Sequence, residues 1–234
     1  MRYALYFTPE PNDALTRAAQ AWLGRNAFTG AAISMTAPAG ISPGEFGSIS
    51  EEPRRYGFHA TLVAPFRPQD GLSPEAMTDA ADTFAQRCTP FVIPGLAITR
   101  IGDFFALTPP ESGDVAALAS EAVDHFNSLR SPLSTSEIER RRPERLSERQ
   151  RAYLDRYGYP YVKEEFRFHM TLTGPLEPEV AARIEPALQN HFAPLLARPV
   201  PVTAVALFVE PAPGADFIVR SIHSFGRAEA RKSA

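Results

Sequence analysis

The chain has 234 residues, enough for one large domain or two small lobes that bury a substantial apolar core. Its 24 Lys and Arg residues against 27 Asp and Glu residues give a formal net charge of −3, which does not favour a general attraction to long polyanions such as RNA. Cys88 is the one cysteine, so an intrachain disulfide and a cysteine-based zinc site are both excluded. Because the apolar run near the N-terminus is too short for a signal peptide or a membrane span, we expect a cytoplasmic protein with no membrane partner.

Turn residues and hydrophobic periodicity divide the first half of the chain into short elements. A strand is predicted at residues 2–7, followed by a helix from an Asn12 or Asp13 cap to about Leu23, with Gly24 as its end. Residues 27–53 are rich in Gly, Ala, Ser and Pro and show no convincing period, which predicts a long loop that is either functional or a solvated insertion. The next predictions are a strand at 56–64, a helix from 73 to about 88, short strands at 91–93, 96–101 and 104–107, and a helix at 114–129.

Segment 131–160 has a different composition, because seven arginines alternate with acidic residues. Ser134 with Glu137 and Ser147 with Gln150 have the spacing of capping boxes, so two helices are predicted. A solvated helical hairpin with alternating charges is the favoured interpretation. A basic stripe that meets a phosphate-bearing substrate is the alternative.

The last part of the chain repeats the strand–helix order. A strand is predicted at 165–173, then a helix opened by Pro178 and disturbed by Pro186, then a hairpin of strands at 200–209 and 216–224. The polar tail after Gly226 is predicted to fray. This order predicts an α+β protein in which residues 1–234 form a single bilobal domain of two related lobes.

One eight-residue phrase occurs twice in the sequence. FHATLVAP begins at Phe58 and FHMTLTGP begins at Phe168, with five of eight positions identical. Since side chains at i and i+2 of a strand share a face, His59 points with Thr61, and His169 points with Thr171. The apolar residues between them form the core face, and continuing the same alternation backwards adds Arg55 to the first polar face and Arg167 to the second.

Two His–Thr pairs with nearby arginines suit the chemistry of a phosphodiester. An arginine contacts non-bridging oxygens in a bidentate manner, and a threonine hydroxyl donates to the same oxygens. Two histidines divide the work of general base and general acid, because an unperturbed pKa near 6.5 allows one ring to be neutral and the other charged.

Other interpretations of the repeated phrase carry less weight. A single histidine in a strand is usually structural, but the second copy with threonine at the same offset argues against packing alone. Neither phrase places a carboxylate on the histidine face, so we expect no metal site and no cofactor. His125, His191 and His223 carry no motif and are interpreted as surface or packing residues, and Trp22 as packing its helix onto the sheet.

The two phrases resemble the paired H-x-[ST]-h motifs, h being apolar, of the 2H phosphoesterase superfamily, which includes RNA 2′,3′-cyclic phosphodiesterase and ligase-type proteins. The longer stretches RRYGFHATLVAPF and RFHMTLTGPL are similar to the branch of that superfamily associated with phosphonate metabolism. The resemblance covers the chain apart from segment 131–160. It implies a bilobal fold with antiparallel sheets lining a central groove and helices outside.

The resemblance also implies that His59 and His169 are the acid/base pair and that Thr61 and Thr171 donate to phosphate oxygens, without deciding which histidine is the base. It implies a metal-independent phosphodiesterase, and the phosphonate association favours a small cyclic phosphate of a sugar or nucleotide over RNA. The alternatives are RNA end processing of the 2′,3′-cyclic phosphodiesterase or 2′-5′ ligase type, and a non-catalytic protein that binds a phosphorylated sugar or nucleotide. A monomer is expected, since one chain supplies both halves of the site.

Overall fold

Within residues 1–226, which the computed structural model describes, the chain forms seven α-helices and nine β-strands. The prediction for the tail after Gly226 concerns residues outside this range. The helices are α1 (Ala14–Leu23), α2 (Pro43–Tyr56), α3 (Pro74–Ala85), α4 (Gly113–Asn127), α5 (Thr135–Arg140), α6 (Glu148–Tyr157) and α7 (Pro178–Leu196). The strands are β1 (Arg2–Phe7), β2 (Ala60–Phe66), β3 (Phe91–Ile93), β4 (Ala97–Ile101), β5 (Phe104–Thr108), β6 (Met170–Thr171), β7 (Val200–Val202), β8 (Ala204–Glu210) and β9 (Ile218–Ser224).

Seven of the strands form one antiparallel sheet in the order β4-β5-β6-β2-β1-β8-β9, and β3 pairs with β7 in a separate two-stranded sheet. The predicted α+β class with antiparallel strands and helices outside is confirmed. The half made of β4, β5 and β6 joins the other half where β6 meets β2, with Ala60 opposite Met170. The two motif strands are therefore neighbours at the middle of a continuous sheet.

One face of this sheet carries the main apolar core. The alternating residues of both phrases that were predicted to face the core are buried, namely Phe58, Ala60, Leu62, Phe168, Met170 and Leu172. Helices α3, α4 and α7 contact strands of the sheet, and α1 contacts α7. Burial of each large apolar side chain contributes roughly 1.5–3 kcal/mol, so the core holds both phrases firmly in place.

Trp22 of α1 is buried in the same core, as predicted, and its indole N–H donates to the carbonyl of Leu172 at 3.0 Å. This contact ties α1 to the end of the second motif. The helix α7 continues past Pro186 to Leu196, so the predicted disturbance does not end it. The predicted strand at 200–209 is divided into β7 and β8, while the hairpin of β8 with β9 is confirmed.

The predicted loop at 27–53 is wrong for its second half, which belongs to α2. Ser42 caps this helix by accepting a hydrogen bond from the Glu45 amide, and Pro43 occupies the first helical turn. The buried residues Phe46, Ile49, Ser50 and Pro53 follow helical spacing. Two glycines and Pro53 within the helix masked this period in the sequence.

The first motif strand begins at Ala60 and not at Tyr56, because α2 runs through Tyr56. Arg55 therefore lies on a helix, and the prediction that it shares a strand face with His59 is wrong. The second motif strand is also shorter than the predicted 165–173, since a 3₁₀ turn occupies Lys163–Glu165 and β6 covers only Met170 and Thr171.

Segment 131–160 forms the predicted pair of helices, α5 and α6. Both capping boxes are present, at Ser134 with Glu137 and at Ser147 with Gln150. Leu154 and Tyr157 are buried, so the segment packs against the body of the protein.

Candidate active site

The four motif side chains His59, Thr61, His169 and Thr171 line a single cleft of about 380 Å³. All four are half-buried, so each is accessible from the cleft. Extending the antiparallel register of Ala60 with Met170 by one residue in each direction sets Thr61 opposite His169, and His59 opposite Thr171. Each histidine thus faces the threonine of the other motif.

Both histidines are oriented in the same way. Nδ1 of His59 donates to the carbonyl of Gly57 at 2.9 Å, and Nδ1 of His169 donates to the carbonyl of Arg167 at 2.8 Å. Since a carbonyl can only accept, each Nδ1 carries a proton and each Nε2 is left for chemistry. Nε2 of His59 accepts a hydrogen bond from the Thr61 hydroxyl at 3.2 Å.

The surroundings of His59 favour its neutral form. Its ring stacks on Tyr6 of β1, with centroids 3.8 Å apart and planes inclined by 22°, and Tyr56 lies on another side at 6.1 Å. Burial in this aromatic pocket, with a smaller contribution from the charge of His169, lowers the pKa of His59 to about 4. His59 is therefore neutral across the physiological pH range, as a general base requires.

The end of α2 sets the position of His59. Gly57 has φ 77° and ψ 177°, a conformation that only glycine adopts readily, and a Cβ there would lie 2.5 Å from the Cβ of Ala27. The buried guanidinium of Arg25 donates to the carbonyls of Arg54, at 3.2 Å, and Phe217, at 2.7 Å. A cation at this C-terminus satisfies carbonyls that the helix leaves free.

Two arginines near the cleft share one buried carboxylate. Glu210, at the end of β8, accepts hydrogen bonds from Arg2 at 2.5 and 3.0 Å and also pairs with Arg55. Burial alone would raise the pKa of Glu210, but the hydrogen bonds from Arg2 and Gly214 and the charges of both arginines lower it. Arg55, predicted to bind substrate, thus has a protein partner, while Arg2, which the sequence analysis missed, lines the cleft.

Segment 131–160 supplies two further cleft residues that the sequence analysis did not single out, Arg141 and Tyr159. The Arg141 guanidinium lies over the Tyr159 ring, 4.9 Å from its centroid. The alternation of charges gave no signal that one of the seven arginines would turn inward.

Arg167 is exposed and lines a pocket of about 520 Å³ that adjoins the cleft. This pocket shares Thr61, Phe104, Tyr159 and His169 with the cleft, and Tyr161 and Phe166 also line it. Arg167 precedes β6 and so is not on a strand with His169, and it is not among the residues lining the cleft itself, so its role in substrate binding stays a prediction.

The remaining histidines have local partners. His125 and His191 each engage a backbone carbonyl through Nε2, at 3.0 and 2.9 Å. His223 is buried, with Nε2 2.8 Å from the Ser221 hydroxyl and Nδ1 3.3 Å from an Asp82 carboxylate oxygen. Packing between β9 and α3 accounts for this last arrangement.

In the part of the chain that the structure covers, no group of three or more His, Cys, Asp and Glu residues is arranged to hold a metal ion. No helix in that part is long and apolar enough to span a bilayer.

The family model described as "Protein of unknown function (DUF1045)" matches residues 61–218. The chain belongs to the DUF1045 family. The matched span contains the second motif, segment 131–160 and most of the first motif, and His59 lies two residues before it. Membership in the 2H phosphoesterase superfamily stays a prediction.

Two curated relatives share the name ribose 1,5-bisphosphate phosphokinase PhnN. The protein from Janthinobacterium sp. (strain Marseille) is 37% identical over 222 residues, and the protein from Laribacter hongkongensis (strain HLHK9) is 36% identical over 221 residues. Each alignment covers 93% of this chain, but the chain spans only about half the length of these relatives, 49% and 50%.

Two solved structures align with nearly the whole chain at low identity. The protein TT0787 of Thermus thermophilus is 18% identical with a TM-score of 0.46, and the alignment covers 97% of this chain and 100% of that protein. A structure named as a phosphoesterase is 12% identical with a TM-score of 0.44, covering 97% and 98%.

Proposed function

We propose that the chain is a phosphodiesterase that opens a small cyclic phosphate ester by acid/base catalysis with His59 and His169. The observation that supports this proposal is that both motifs line one cleft. In each histidine a backbone carbonyl accepts from Nδ1, so that Nε2 is the nitrogen available for proton transfer. A protein that only binds a phosphate has no need for two rings prepared in this way.

In the proposed reaction His59 is the base. Its neutral Nε2 takes a proton from water as the water oxygen attacks phosphorus. The bond between phosphorus and one ring oxygen breaks, and that oxygen takes a proton from Nε2 of His169. The products are a phosphate monoester and a free hydroxyl group, and the two histidines have exchanged protonation states.

The threonines complete the scheme. Thr61 and Thr171 donate to the two non-bridging oxygens, where negative charge increases as water adds. In this scheme the Thr61 hydroxyl leaves Nε2 of His59 when the substrate binds, and Nε2 then accepts from water. Because the two histidines supply both proton transfers, we propose a reaction that does not depend on a metal ion.

The substrate that we propose is a ribosyl cyclic phosphate. A cleft of about 380 Å³ lies in the range that holds small ligands. The name of the curated relatives includes ribose 1,5-bisphosphate, and its phosphate monoester at C1 is the group that opening of a ribosyl 1,2-cyclic phosphate leaves when the bond from phosphorus to O2 breaks. The sequence has no GxxxxGK[ST] phosphate loop, so we place the kinase activity of those longer proteins in the half that this chain does not match. This reaction fits the phosphonate utilisation that the sequence resemblance implies.

RNA end processing is the second candidate function, favoured by the pocket that adjoins the cleft. Phe104, Tyr159, Tyr161 and Phe166 line it, and aromatic side chains stack on nucleobases. A cyclic phosphate at an RNA terminus could occupy the cleft while its base occupies this pocket.

The test is a panel of cyclic phosphates followed by ³¹P NMR in the presence of EDTA. We expect ribose 1,2-cyclic phosphates or 2′,3′-cyclic nucleotides to be opened, and His59→Ala or His169→Ala to lower the rate by at least ~10²-fold. Turnover of oligonucleotides alone would replace the small substrate by RNA. Loss of turnover in EDTA that zinc or magnesium restores would contradict the proposed metal independence.

A further inference from the structure

We propose that Arg141 binds a second phosphate group of the substrate, one that is separate from the cyclic phosphodiester held by the two motifs. This inference rests on the proposed function and specifies its substrate as a cyclic phosphate that also carries a phosphate monoester.

Arg141 differs in its ionic partners from Arg2, Arg25 and Arg55. Arg2 and Arg55 are paired with Glu210, and Arg25 is paired with Asp216. Among residues 1–226, no carboxylate forms an ion pair with Arg141, although this side chain is half-buried in the cleft. A guanidinium that lines a cleft without a carboxylate partner is suited to an anionic ligand.

The guanidinium of Arg141 is held in position before any ligand binds. It packs over the Tyr159 ring at 4.9 Å, and the edge of Tyr161 supports that ring with centroids 5.6 Å apart. Such packing reduces the rotamer entropy that a long side chain loses on binding.

The backbone at this point is also unusual. Arg141 is the C-cap residue that follows α5, and the next residue, Arg142, lies in the left-handed region at φ 49°, which costs energy for a residue other than glycine. The Arg142 amide donates to the carbonyl of Glu139 at 2.9 Å and holds the turn. The turn directs the chain so that Arg141 meets the cleft while Arg142 is exposed.

A cyclic phosphodiester does not need this arginine. It carries one negative charge on two non-bridging oxygens, and Thr61 and Thr171 provide one donor for each. A phosphate monoester carries nearly two charges on three terminal oxygens, which match the planar, bidentate donors of arginine. The bisphosphate in the name of the curated relatives is a sugar with phosphate groups at two positions, consistent with a substrate of this kind.

The test compares two substrates that differ only in the second phosphate, ribose 1,2-cyclic phosphate with and without a 5-phosphate. We expect Arg141→Ala to lower kcat/KM for the 5-phosphorylated substrate by ~10²-fold and to leave the other within ~3-fold. Arg145→Ala is the matched control, because Arg145 is an exposed arginine of the same segment, and it should change neither value. If Arg141→Ala lowered kcat/KM equally for both substrates, or for neither, the proposal would be overturned.

A binding measurement separates failure of this inference from failure of the proposed function. Ribose 5-phosphate has only the monoester, so its binding can be followed by calorimetry without turnover. If the proposal holds, Arg141→Ala weakens this binding ~10-fold or more, while Arg141→Lys weakens it less and Arg145→Ala leaves it unchanged. Unchanged affinity in Arg141→Ala would reject the second phosphate site even if neither cyclic substrate turned over.

Discussion

At the scale of single residues, the two histidines differ in surroundings although their backbone contacts are alike. Each Nδ1 donates to the carbonyl two residues earlier, but only His59 stacks on a buried tyrosine, Tyr6. The strand alternation in the sequence predicted which side chains share the polar face. It could not predict the tautomers or the stacking, because these depend on the turn at Gly57 and on β1, which is distant in sequence.

The lowered pKa of His59 predicts the pH dependence of catalysis. As the proposed base, His59 is inactive once protonated, so the acidic limb of kcat/KM should lie near pH 4. An exposed histidine would place that limb near its ordinary pKa of about 6.5. Initial rates between pH 3.5 and 8, with enzyme stability checked at each pH, measure the limb, and a limb at pH 6–7 would contradict the assignment of His59 as the base.

The same pKa shift makes a prediction for stability. Between about pH 6.5 and 4 the unfolded chain protonates this histidine and the folded chain does not, so falling pH destabilises the fold in that window. Above pH 6.5 the effect is absent. When the pH falls from 7 to 5, the free energy of unfolding of His59→Gln should decrease by about 1–2 kcal/mol less than that of the wild type, as measured by urea unfolding. An identical loss in both proteins would show that His59 is not desolvated.

At the scale of elements, α2 and the turn that follows it build the first half of the site. The sequence contained the start of α2, in Ser42, Pro43 and Glu45, but the glycines and Pro53 hid its period. Because α2 was not predicted, the first motif strand was predicted to begin at Tyr56, and Arg55 was predicted to lie on its polar face. The position of Arg55 shows that the alternation of side chains between two faces cannot be extended beyond the end of a strand.

Gly57 gives a direct test of this element. Gly57→Ala should lower the free energy of unfolding by at least about 1–3 kcal/mol, since φ is 77° and the new Cβ would meet the Cβ of Ala27. Activity should fall as well, because the Gly57 carbonyl orients His59.

The control is Gly47→Ala in the same helix, where a Cβ has nothing within 4 Å and φ is negative. This variant should be neutral or more stable by roughly 0.5–1 kcal/mol. Urea unfolding and the cyclic phosphate assay measure both variants. Equal stability of the two would mean that the turn at Gly57 imposes no conformational demand.

At the scale of the whole molecule, the two repeats meet in one sheet. The repeated phrase predicted two related lobes, and the pairing of Ala60 with Met170 brings the two copies of the phrase together where β2 meets β6. The contribution of Arg141 and Tyr159 from segment 131–160 was not predictable, because alternating charges are equally typical of a solvated hairpin. Only the packing of that segment against the cleft distinguishes the two interpretations.

The central claim is that the two motifs act together in one catalytic step, and a double-mutant cycle tests it most directly. Turnover of a ribosyl cyclic phosphate is followed by ³¹P NMR in EDTA for the wild type, His59→Ala, His169→Ala and the double variant. Because residues that act as a unit are non-additive, each single variant should lose at least ~10²-fold and the double variant little more. Full activity in either single variant, or a double loss equal to the product of the single losses, would contradict a shared site.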